Sequence, residues 1–312
     1  MQGLDFCDKA GHYLAMTQVS TTYRHVYIVG CGDIGSRVAL ACLQRGDRVT
    51  GWVRSDDSVM RLRERRIPTL KVDLDEAVPG LPVLAGQDLF YFAPPPAQGR
   101  EDTRVAHLLS QIGEAGRPRK VVYLSTTGVY GDCGGEWVDE TRPPAPVADR
   151  AYRRLDAESR WRAWSRQSGG ELVILRVAGI YGPGKLPEAR LRSGKPMVAE
   201  TESPITNHIH SLDLVEICLA AMARGASGEV FNVSDGHPGS MTGYFNAVAD
   251  FLGLPRPPTI SLAEAERQLT PGMLSYLGES RRLSNRKLIE ELGISLRYPT
   301  LAEGLPACSE DG

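Results

Sequence analysis

The sequence predicts an α/β fold in which a doubly wound parallel sheet is joined to a smaller C-terminal lobe. Two observations predict it. Strand and helix patterns alternate through about residue 235, which is typical of a parallel sheet with helices on both faces. After residue 182 prolines become frequent and the helical patterns become short, which indicates a lobe of short helices and loops.

The first strand pattern leads directly into a glycine turn. Residues 26–29 form a short apolar run, VYIV, and residues 30–35 read GCGDIG. A helical pattern follows at once, because apolar residues recur at i, i+4, i+7 and i+8 from Ile34. A second strand pattern at 48–53 completes a βαβ unit. Its first turn therefore has the G-x-G-x-x-G spacing and the context of a Rossmann-type dinucleotide site.

Each glycine of this turn has a predicted role. Gly30 permits the tight turn, Gly32 lets the backbone approach a pyrophosphate, and Gly35 lets helix and strand pack closely. The pyrophosphate would meet the free N–H groups and the positive dipole at the helix start. We therefore predict cofactor contacts from five residues of the turn: Gly30, Gly32, Asp33, Ile34 and Gly35.

The end of the second strand pattern bears on which dinucleotide binds. A site for NAD usually has an acidic side chain there, which bonds the ribose 2′-hydroxyl. This chain has Arg54, whose fork of donors suits the 2′-phosphate of NADP. NAD stays open as the alternative because Asp56 and Asp57 follow closely, and Asp73 is placed to reach the adenine. Four arginines follow on a helical pattern and are expected to form a solvated basic face: Arg61, Arg63, Arg65 and Arg66.

The remaining elements are predicted from the same periodicities. Further strand patterns lie at 69–73, 88–93, 120–125, 172–177 and 230–233. Helical patterns lie at 102–114, 148–166 and 212–223, with shorter ones near 245–252 and 284–292. We expect an N-terminal tail at 1–22, a dinucleotide-binding domain at 23–182 and mainly a substrate lobe at 183–312, with 207–235 returning to the core of the first domain.

Composition excludes several classes of protein. The 312 residues carry a formal net charge of −2, so no global charge draws the chain to nucleic acid or anionic membranes. No apolar run approaches the roughly 18 residues of a membrane span, and residues 1–22 lack the apolar core of a secretory signal. The six cysteines show no C-x-x-C spacing, and His208 and His210 have no further ligands nearby in the sequence. We therefore expect reduced thiols, no metal site and a cytoplasmic protein.

Five motifs in order resemble those of the extended short-chain dehydrogenase/reductase superfamily, the NAD-dependent epimerase/dehydratase family. They are GCGDIG at 30–35, STTGVYG at 125–131, ILRVAGIYGPG at 174–184, HIHSLDL at 208–214 and FNVSDG at 231–236. The run Ala93-Pro94-Pro95-Pro96 and the segment LRYPTLAEGL at 296–305 are similar to an atypical branch of that superfamily. The resemblance covers about residues 24–300. It implies an NAD(P)-binding protein with a small-molecule substrate, and it allows a homodimer formed through the helices near 102–114 and 148–166.

The resemblance also implies individual site residues. The family sets a catalytic hydroxyl in the pattern S-S-x-x-V-Y-G, and that position falls on Thr126, with Ser125 just before it. Both hydroxyls would polarise a substrate oxygen. Pro94 and Tyr181 are implied as cofactor contacts, since the turn at 181–184 resembles the one that lies along the nicotinamide.

The chain departs from the family's catalytic Tyr-x-x-x-Lys pair, in which the Lys lowers the tyrosine pKa and anchors the nicotinamide ribose. Tyr152 is followed four residues later by Asp156, which has the opposite charge to Lys. Counting back from Glu158 instead puts Arg150 at the Tyr position and Arg154 at the Lys position. The two registers differ by about 200° around a helix, so only one can face the site. Tyr152 and Arg154 both stay candidates for a catalytic role.

We therefore expect an NAD(P)-dependent oxidoreductase or epimerase/dehydratase-like enzyme. It would move a hydride between NADP, or NAD, and a carbonyl or carbinol carbon, with a nucleotide sugar as the substrate that the superfamily suggests. Arg190, Arg192 and Lys195 are candidate anion contacts, although they are equally ordinary loop charges. The alternative is a catalytically silent NAD(P)-binding sensor or regulator, which the loss of the Tyr-x-x-x-Lys pair favours.

Overall fold

The structure, a computed structural model, describes residues 24–76, 81–113 and 116–309, so the tail predicted at 1–22 lies outside the described residues. The strands are β1 (His25–Val29), β2 (Arg48–Val53), β3 (Thr69–Lys71), β4 (Asp88–Tyr91), β5 (Lys120–Thr126), β6 (Trp137–Val138), β7 (Glu171–Val177), β8 (Gly179–Tyr181), β9 (Met197–Val198), β10 (Ile205–Thr206), β11 (His208–His210), β12 (Val230–Val233), β13 (Gly239–Ser240), β14 (Thr259–Ile260) and β15 (Arg282–Leu283). The α-helices are α1 (Asp33–Gln44), α2 (Asp56–Glu64), α3 (Thr103–Gln111), α4 (Asp149–Ser168), α5 (Glu188–Arg192), α6 (Ser211–Arg224), α7 (Met241–Phe251), α8 (Leu262–Gln268), α9 (Pro271–Leu277), α10 (Arg286–Leu292) and α11 (Leu301–Gly304). Within this described part of the chain, no helix combines the length and the apolar character needed to cross a membrane.

Seven parallel strands form the central sheet, in the order β12-β7-β5-β4-β1-β2-β3. The chain adds β2 and β3 on one side of β1 and places β4 on the other side, so the strand order reverses at β1. In an open α/β sheet such a reversal leaves a crevice at the carboxyl ends of the strands, where ligands bind. The predicted fold class is confirmed, and the glycine turn that follows β1 lies at this crevice.

Helices cover both faces of the sheet. On one face α1 and α6 pack around Val38 and Ile217, which are both fully buried. On the other face α3 and α4 pack around Leu108 and Trp161, which are also fully buried. Because both faces are covered, central strands such as β7 (ELVILRV) are nearly continuous apolar runs and do not alternate between apolar and polar residues.

The C-terminal lobe has a core of its own. Tyr181, Leu191 and Phe245 are buried in it, and α5 and α7 pack against each other there. Two short strand pairs, β9 with β14 and β10 with β13, connect its loops. From the segment 207–235, α6 and β12 lie in the layers of the central sheet, and α10 packs against both of them.

Two predicted strands end earlier than their patterns indicated. β3 ends at Lys71, because the carbonyl of Asp73 accepts a hydrogen bond from the Glu76 N–H (3.3 Å) and starts a turn. β4 ends at Tyr91, and the chain then closes over the glycine turn at Ala93. In both cases an apolar pattern continues past the last ladder pair, so periodicity alone overestimates the strand.

Gly30→Ala should destabilise the fold strongly. Gly30 has a φ of +81°, and a Cβ at this position would lie 2.3 Å from the backbone nitrogen of Ala93. The left-handed conformation costs a non-glycine residue about 1–2 kcal/mol and overpacking about 1–3 kcal/mol, so we expect the free energy of unfolding in urea to fall by about 2–5 kcal/mol.

Gly32→Ala is the matched control. Gly32 has a φ of −78°, and its Cβ position has no atom within 4 Å. The free energy of unfolding of the variant should therefore lie within about 1 kcal/mol of that of the parent. If the two variants lose the same free energy of unfolding, the result contradicts the close approach of Gly30 to Ala93.

Candidate functional site

The glycine turn brings the start of α1 to the crevice. The N–H groups of Gly30 and Cys31 both donate to the Trp52 carbonyl (3.1 and 2.9 Å), which ties the turn to the end of β2. A Cβ at Gly35 would lie 3.1 Å from the Gly30 carbonyl oxygen, so glycine there lets the helix pack on the turn. The Cβ position of Gly32 is open. The turn therefore leaves space at Gly32 in front of the free N–H groups that begin α1.

A cavity of about 380 Å³ opens in front of this turn, and we call it the first cavity. Five residues predicted as cofactor contacts line it: Gly30, Gly32, Arg54, Asp73 and Pro94. The other three predicted residues of the turn, Asp33, Ile34 and Gly35, form the first turn of α1 and lie outside the lining of this cavity. The carboxylate of Asp33 is paired with Arg37 and Lys185, each at 3.2 Å.

Arg54 lies at the rim of the first cavity with a mostly exposed side chain. Its guanidinium is 3.7 Å from the Asp75 carboxylate. Arg104 holds the same carboxylate with two hydrogen bonds of 2.6 and 2.8 Å, and these bonds are the main reason that the pKa of Asp75 is lowered. Because Arg104 already satisfies Asp75, Arg54 is available to a second anion. Sequence reasoning missed Arg104, which comes to the cavity from α3.

Two of the four arginines expected on a solvated basic face line a neighbouring cavity of about 320 Å³ instead. Arg61 donates to the Ser58 hydroxyl, and Arg65 to the Ser36 hydroxyl, both at 2.8 Å. Gly32 lines this cavity as well as the first one. The open side of the glycine turn therefore faces positive charge.

A buried ion pair fixes the rotation of α4 against the sheet. Glu158 is fully buried and accepts two hydrogen bonds from Arg176 on β7 (2.8 and 3.0 Å) and one from the Ser125 hydroxyl on β5 (2.6 Å). Burial alone would lower the pKa of Arg176, but the hydrogen bonds to Glu158 raise it overall. Since residues four apart share a face of a helix, Arg154 and Arg150 point the same way as Glu158.

A second cavity, of about 420 Å³, lies where these side chains point. Among the candidates from the sequence, Thr126, Arg150 and Arg154 line it. The Arg154 guanidinium donates to the carbonyls of Leu124 (3.2 Å) and Ala93 (3.4 Å), at the ends of β5 and β4. The Thr126 hydroxyl oxygen accepts from the Gly128 N–H (3.3 Å), which leaves its own proton available to a ligand.

The C-terminal lobe closes the second cavity with residues that sequence reasoning missed. Arg150 donates to the Glu279 carboxylate (2.8 Å) and to the Ser275 hydroxyl, and its guanidinium lies 4.1 Å from the ring centroid of Tyr276. Tyr276, Glu279 and Arg281 all line the cavity. The signal at Thr270-Pro271 could have found α9, because Pro is common in a first helical turn, but it carries no information about which strands α9 faces.

The structure places Tyr152 away from this cavity. Its ring lies 4.6 Å from the Arg100 guanidinium. Asp156, four residues later, accepts from the backbone N–H of Asp102 (2.8 Å) on the same side of α4. Of the four residues predicted as catalytic, Thr126 and Arg154 therefore line the cavity, while Tyr152 faces Arg100 and Ser125 is bound to Glu158.

Tyr181 and His210 lie in the junction between sheet and lobe, outside the lining of both cavities. Tyr181 is fully buried, and its hydroxyl donates to the Thr300 carbonyl (3.3 Å). His210 caps α6, because its Nδ1 accepts from the Leu212 N–H (3.3 Å), and burial lowers its pKa to about 4. In the residues that the structure describes, no group of three His, Cys, Asp or Glu side chains is placed to hold a metal ion.

The candidate anion contacts of the lobe lie elsewhere. Arg190 donates to the Pro196 carbonyl (2.9 Å), and Arg192 pairs with Glu188 (2.6 Å). These arginines and the exposed Lys195 are absent from the lining of the first and second cavities. The cations of the second cavity come instead from α4 and from the segment after α9.

The chain is similar to known proteins along most of its length. The model of the NAD dependent epimerase/dehydratase family matches residues 98–234. Protein YeeZ of Escherichia coli is 27% identical over 289 residues, which make up 88% of this chain and 97% of that protein. A conserved protein of unknown function from Silicibacter pomeroyi has a solved structure that is 34% identical, with a TM-score of 0.81 over 93% of this chain and 99% of that one.

The fold is also shared with an epimerase of known structure. The UDP-glucose 4-epimerase of Thermotoga maritima, solved with UDP-glucose, has a TM-score of 0.75 and covers 91% of this chain and 97% of its own. The two sequences are 19% identical, so this likeness is one of fold.

Glu158→Gln should destabilise the protein, because it leaves the buried guanidinium of Arg176 without a carboxylate. Removing one partner of a buried ion pair costs about 3–5 kcal/mol, and we expect a loss of that size in urea denaturation. The control is Glu188→Gln, which breaks the exposed pair with Arg192 and should cost less than about 1 kcal/mol. If the two losses are alike, the buried pair does not hold α4 in place.

Proposed function

The chain belongs to the NAD-dependent epimerase/dehydratase family, and on this premise we propose that it is an NADP-dependent oxidoreductase acting on a carbonyl or carbinol substrate. One observation carries the proposal. The first cavity, at the glycine turn, and the second cavity, lined by Thr126 and Arg154, lie at the ends of neighbouring strands of one crevice.

The residues of the first cavity fit a dinucleotide. The space at Gly32 allows a pyrophosphate to approach the N–H groups at the start of α1, and Asp73 lies on the side expected for the adenosine. A bound nicotinamide cofactor supplies or accepts a hydride. What this chain contributes is orientation: the turn fixes one end of the cofactor, and the carboxyl ends of β4 and β5 lie between the first and second cavities.

The positive charge around Arg54 supports NADP over NAD. Arg54 follows β2 directly, where an NAD site usually has an acid, and its side chain is 63% exposed. Ser55 and Ser58 line the first cavity beside it. The Ser58 oxygen accepts from the Ser55 hydroxyl (2.9 Å) and from Arg61 (2.8 Å), which leaves the Ser58 proton to donate to a ligand. Arg61 and Arg65 add charge on the far side of Gly32. A 2′-phosphate carries the charge and the acceptor oxygens that this group of donors suits.

Thr126 supports the second cavity as the place of the proposed reaction. Its hydroxyl can donate to a substrate oxygen in the second cavity, and the charges of Arg150 and Arg154 would stabilise negative charge that develops there. Neither guanidinium can lose its proton and act as a general acid, so the proton would move through a water held by the two arginines. Tyr276 is the tyrosine that the structure places in the lining of the same cavity. Nucleotide sugars are the first substrates to test, given the epimerase of the same fold.

A catalytically silent NADP-binding sensor is the second candidate. The position that the family gives to the catalytic tyrosine holds Arg150, and Arg150 is already bound to Glu279 of the lobe. In a sensor this contact would transmit cofactor binding to the lobe. A homodimer through α3 and α4 and a cytoplasmic location remain predictions under either proposal.

Arg54→Ala should weaken the binding of NADPH more than the binding of NADH. A hydrogen bond to a charged group contributes about 1.5–3 kcal/mol, so the Kd of NADPH should rise roughly 10- to 100-fold in titration calorimetry while that of NADH changes little. Arg63→Ala removes an equal charge from the exposed face of α2 and should leave both constants unchanged. Equal losses of NADPH and NADH in Arg54→Ala would refute the 2′-phosphate role.

An assay of NADPH oxidation against aldehydes, ketones and nucleotide sugars separates the enzyme from the sensor. We expect turnover of at least one class, and we expect Thr126→Val to lower kcat/KM for it by about 10- to 100-fold, the scale of a lost hydrogen bond to developing charge. Gly32→Val should abolish both turnover and NADPH binding while the far-UV spectrum is kept, since its side chain would fill the approach of the pyrophosphate. Tight NADPH binding with no turnover of any class would favour the sensor.

A further inference from the structure

The second cavity carries more positive than negative charge. Three arginines and one glutamate line it: Arg150, Arg154, Arg281 and Glu279. Three cations and one anion give this lining a formal charge of +2. The neighbouring side chains of the lining are neutral, among them Thr126, Asn207 and Tyr276.

Two of the arginines share the one carboxylate. Glu279 has a side chain that is 3% exposed, and it accepts from Arg150 (2.8 Å) and from both terminal nitrogens of Arg281 (3.1 Å each). Arg281 also donates to the carbonyl of Gly131. The carboxylate therefore compensates this pair of arginines in part and lies on the lobe side of the cavity.

Arg154 has no such compensation. It donates to the carbonyls of Ala93 and Leu124 and contacts the Tyr123 hydroxyl, which are all neutral groups. In the ranges 24–76, 81–113 and 116–309, the ion pairs within 4.0 Å do not include one for Arg154. The charge of Arg154 lowers the pKa of Asp102, although burial raises that pKa overall. Asp102 caps α3 by accepting from the Val105 N–H (3.1 Å) and is absent from the lining of the second cavity.

An uncompensated cation in a concave site attracts an anion, because the low-dielectric walls concentrate its field. The cofactor phosphates would lie at the glycine turn, at the other end of the crevice, so the anion has to come from the substrate. Arg154 and Thr126 line the same cavity. A guanidinium also offers paired N–H donors that match the two oxygens of a carboxylate.

We propose that the substrate presents a carboxylate to Arg154 at its reacting end, so that the protein acts on a carbonyl or carbinol compound that bears an acid group. This inference rests on the proposed function and narrows its substrate class. A neutral sugar ring in the same place would leave the charge of Arg154 uncompensated. The carboxylate adds no covalent step, since it binds and orients the molecule while the Thr126 hydroxyl contacts the reacting oxygen.

The test compares benzoate with benzamide, which differ in charge and little in shape, by titration calorimetry of the protein saturated with NADPH. One charge-assisted hydrogen bond contributes about 1.5–3 kcal/mol, so benzoate should bind at least about tenfold more tightly than benzamide. Arg154→Gln should reduce this ratio to near one. Arg166→Gln, which removes an exposed charge at the far end of α4, should leave the ratio unchanged.

Two further measurements, on Arg154→Lys and with inorganic phosphate, keep the proposal open to contradiction. Arg154→Lys retains the charge but loses the paired N–H donors of the guanidinium. This variant should bind benzoate more weakly than the parent does and still bind it more tightly than benzamide. Benzamide binding as tightly as benzoate, or a ratio that Arg154→Gln leaves unchanged, overturns the proposal. If inorganic phosphate displaces benzoate at concentrations below the Kd of benzoate, the site binds phosphate in preference. That result would overturn the proposal of a substrate carboxylate.

The benzoate preference can also be measured without cofactor. A preference for benzoate over benzamide in the protein without cofactor would support an anion site in the second cavity even if NADPH does not bind. A failure of NADPH binding, by contrast, counts against the proposed function alone.

Discussion

The site depends on one buried interaction, the ion pair between Glu158 on α4 and Arg176 on β7. Burying two charges is costly, and this pair is stabilised by two further contacts of the carboxylate: it accepts from Ser125 and lies 3.0 Å from the Arg162 guanidinium. The consequence is rotational. With Glu158 held against the sheet, Arg154 and Arg150 face the crevice, while Tyr152 faces Arg100 on the outside of the helix. The helix is thus fixed in the register that excludes its own tyrosine.

Ala93 joins the two halves of the crevice. Its backbone nitrogen lies 2.3 Å from the position that a Cβ at Gly30 would take, and its carbonyl accepts from Arg154. The steric constraint beside the first cavity and the hydrogen bond beside the second cavity therefore act on one residue, at the end of β4. This arrangement follows from the topology, because β4 and β1 are neighbours where the strand order reverses. A shift of the chain at Ala93 would move both sites together.

The sequence was sufficient for the family and for the fold class, which are both confirmed, because those rest on local periodicity and on glycines with a steric role. It was also sufficient to place Gly30, Gly32 and Arg54 in one cavity. It could not decide the register of α4, since Tyr152 and Glu158 supported different answers and the deciding partner, Arg176, comes from a later strand. It missed Glu279 and Arg281 for a similar reason. Their position is set by how the lobe docks, which no local pattern encodes.

With Arg150 at the position of the tyrosine, the proposed enzyme would differ from the family in the route of the proton more than in the stabilisation of charge. A tyrosine beside a lysine both donates a proton and stabilises an oxyanion, whereas Arg150 and Arg154 can do only the second. Positive charge held in a partly buried site costs stability unless a ligand compensates it. The hydrogen bonds of Arg154 to the carbonyls of Ala93 and Leu124 need only a donor, which a neutral amide side chain would also supply without the cost of the charge. The uncompensated charge of Arg154 therefore favours a protein that binds an anionic substrate next to its cofactor over one that binds the cofactor alone.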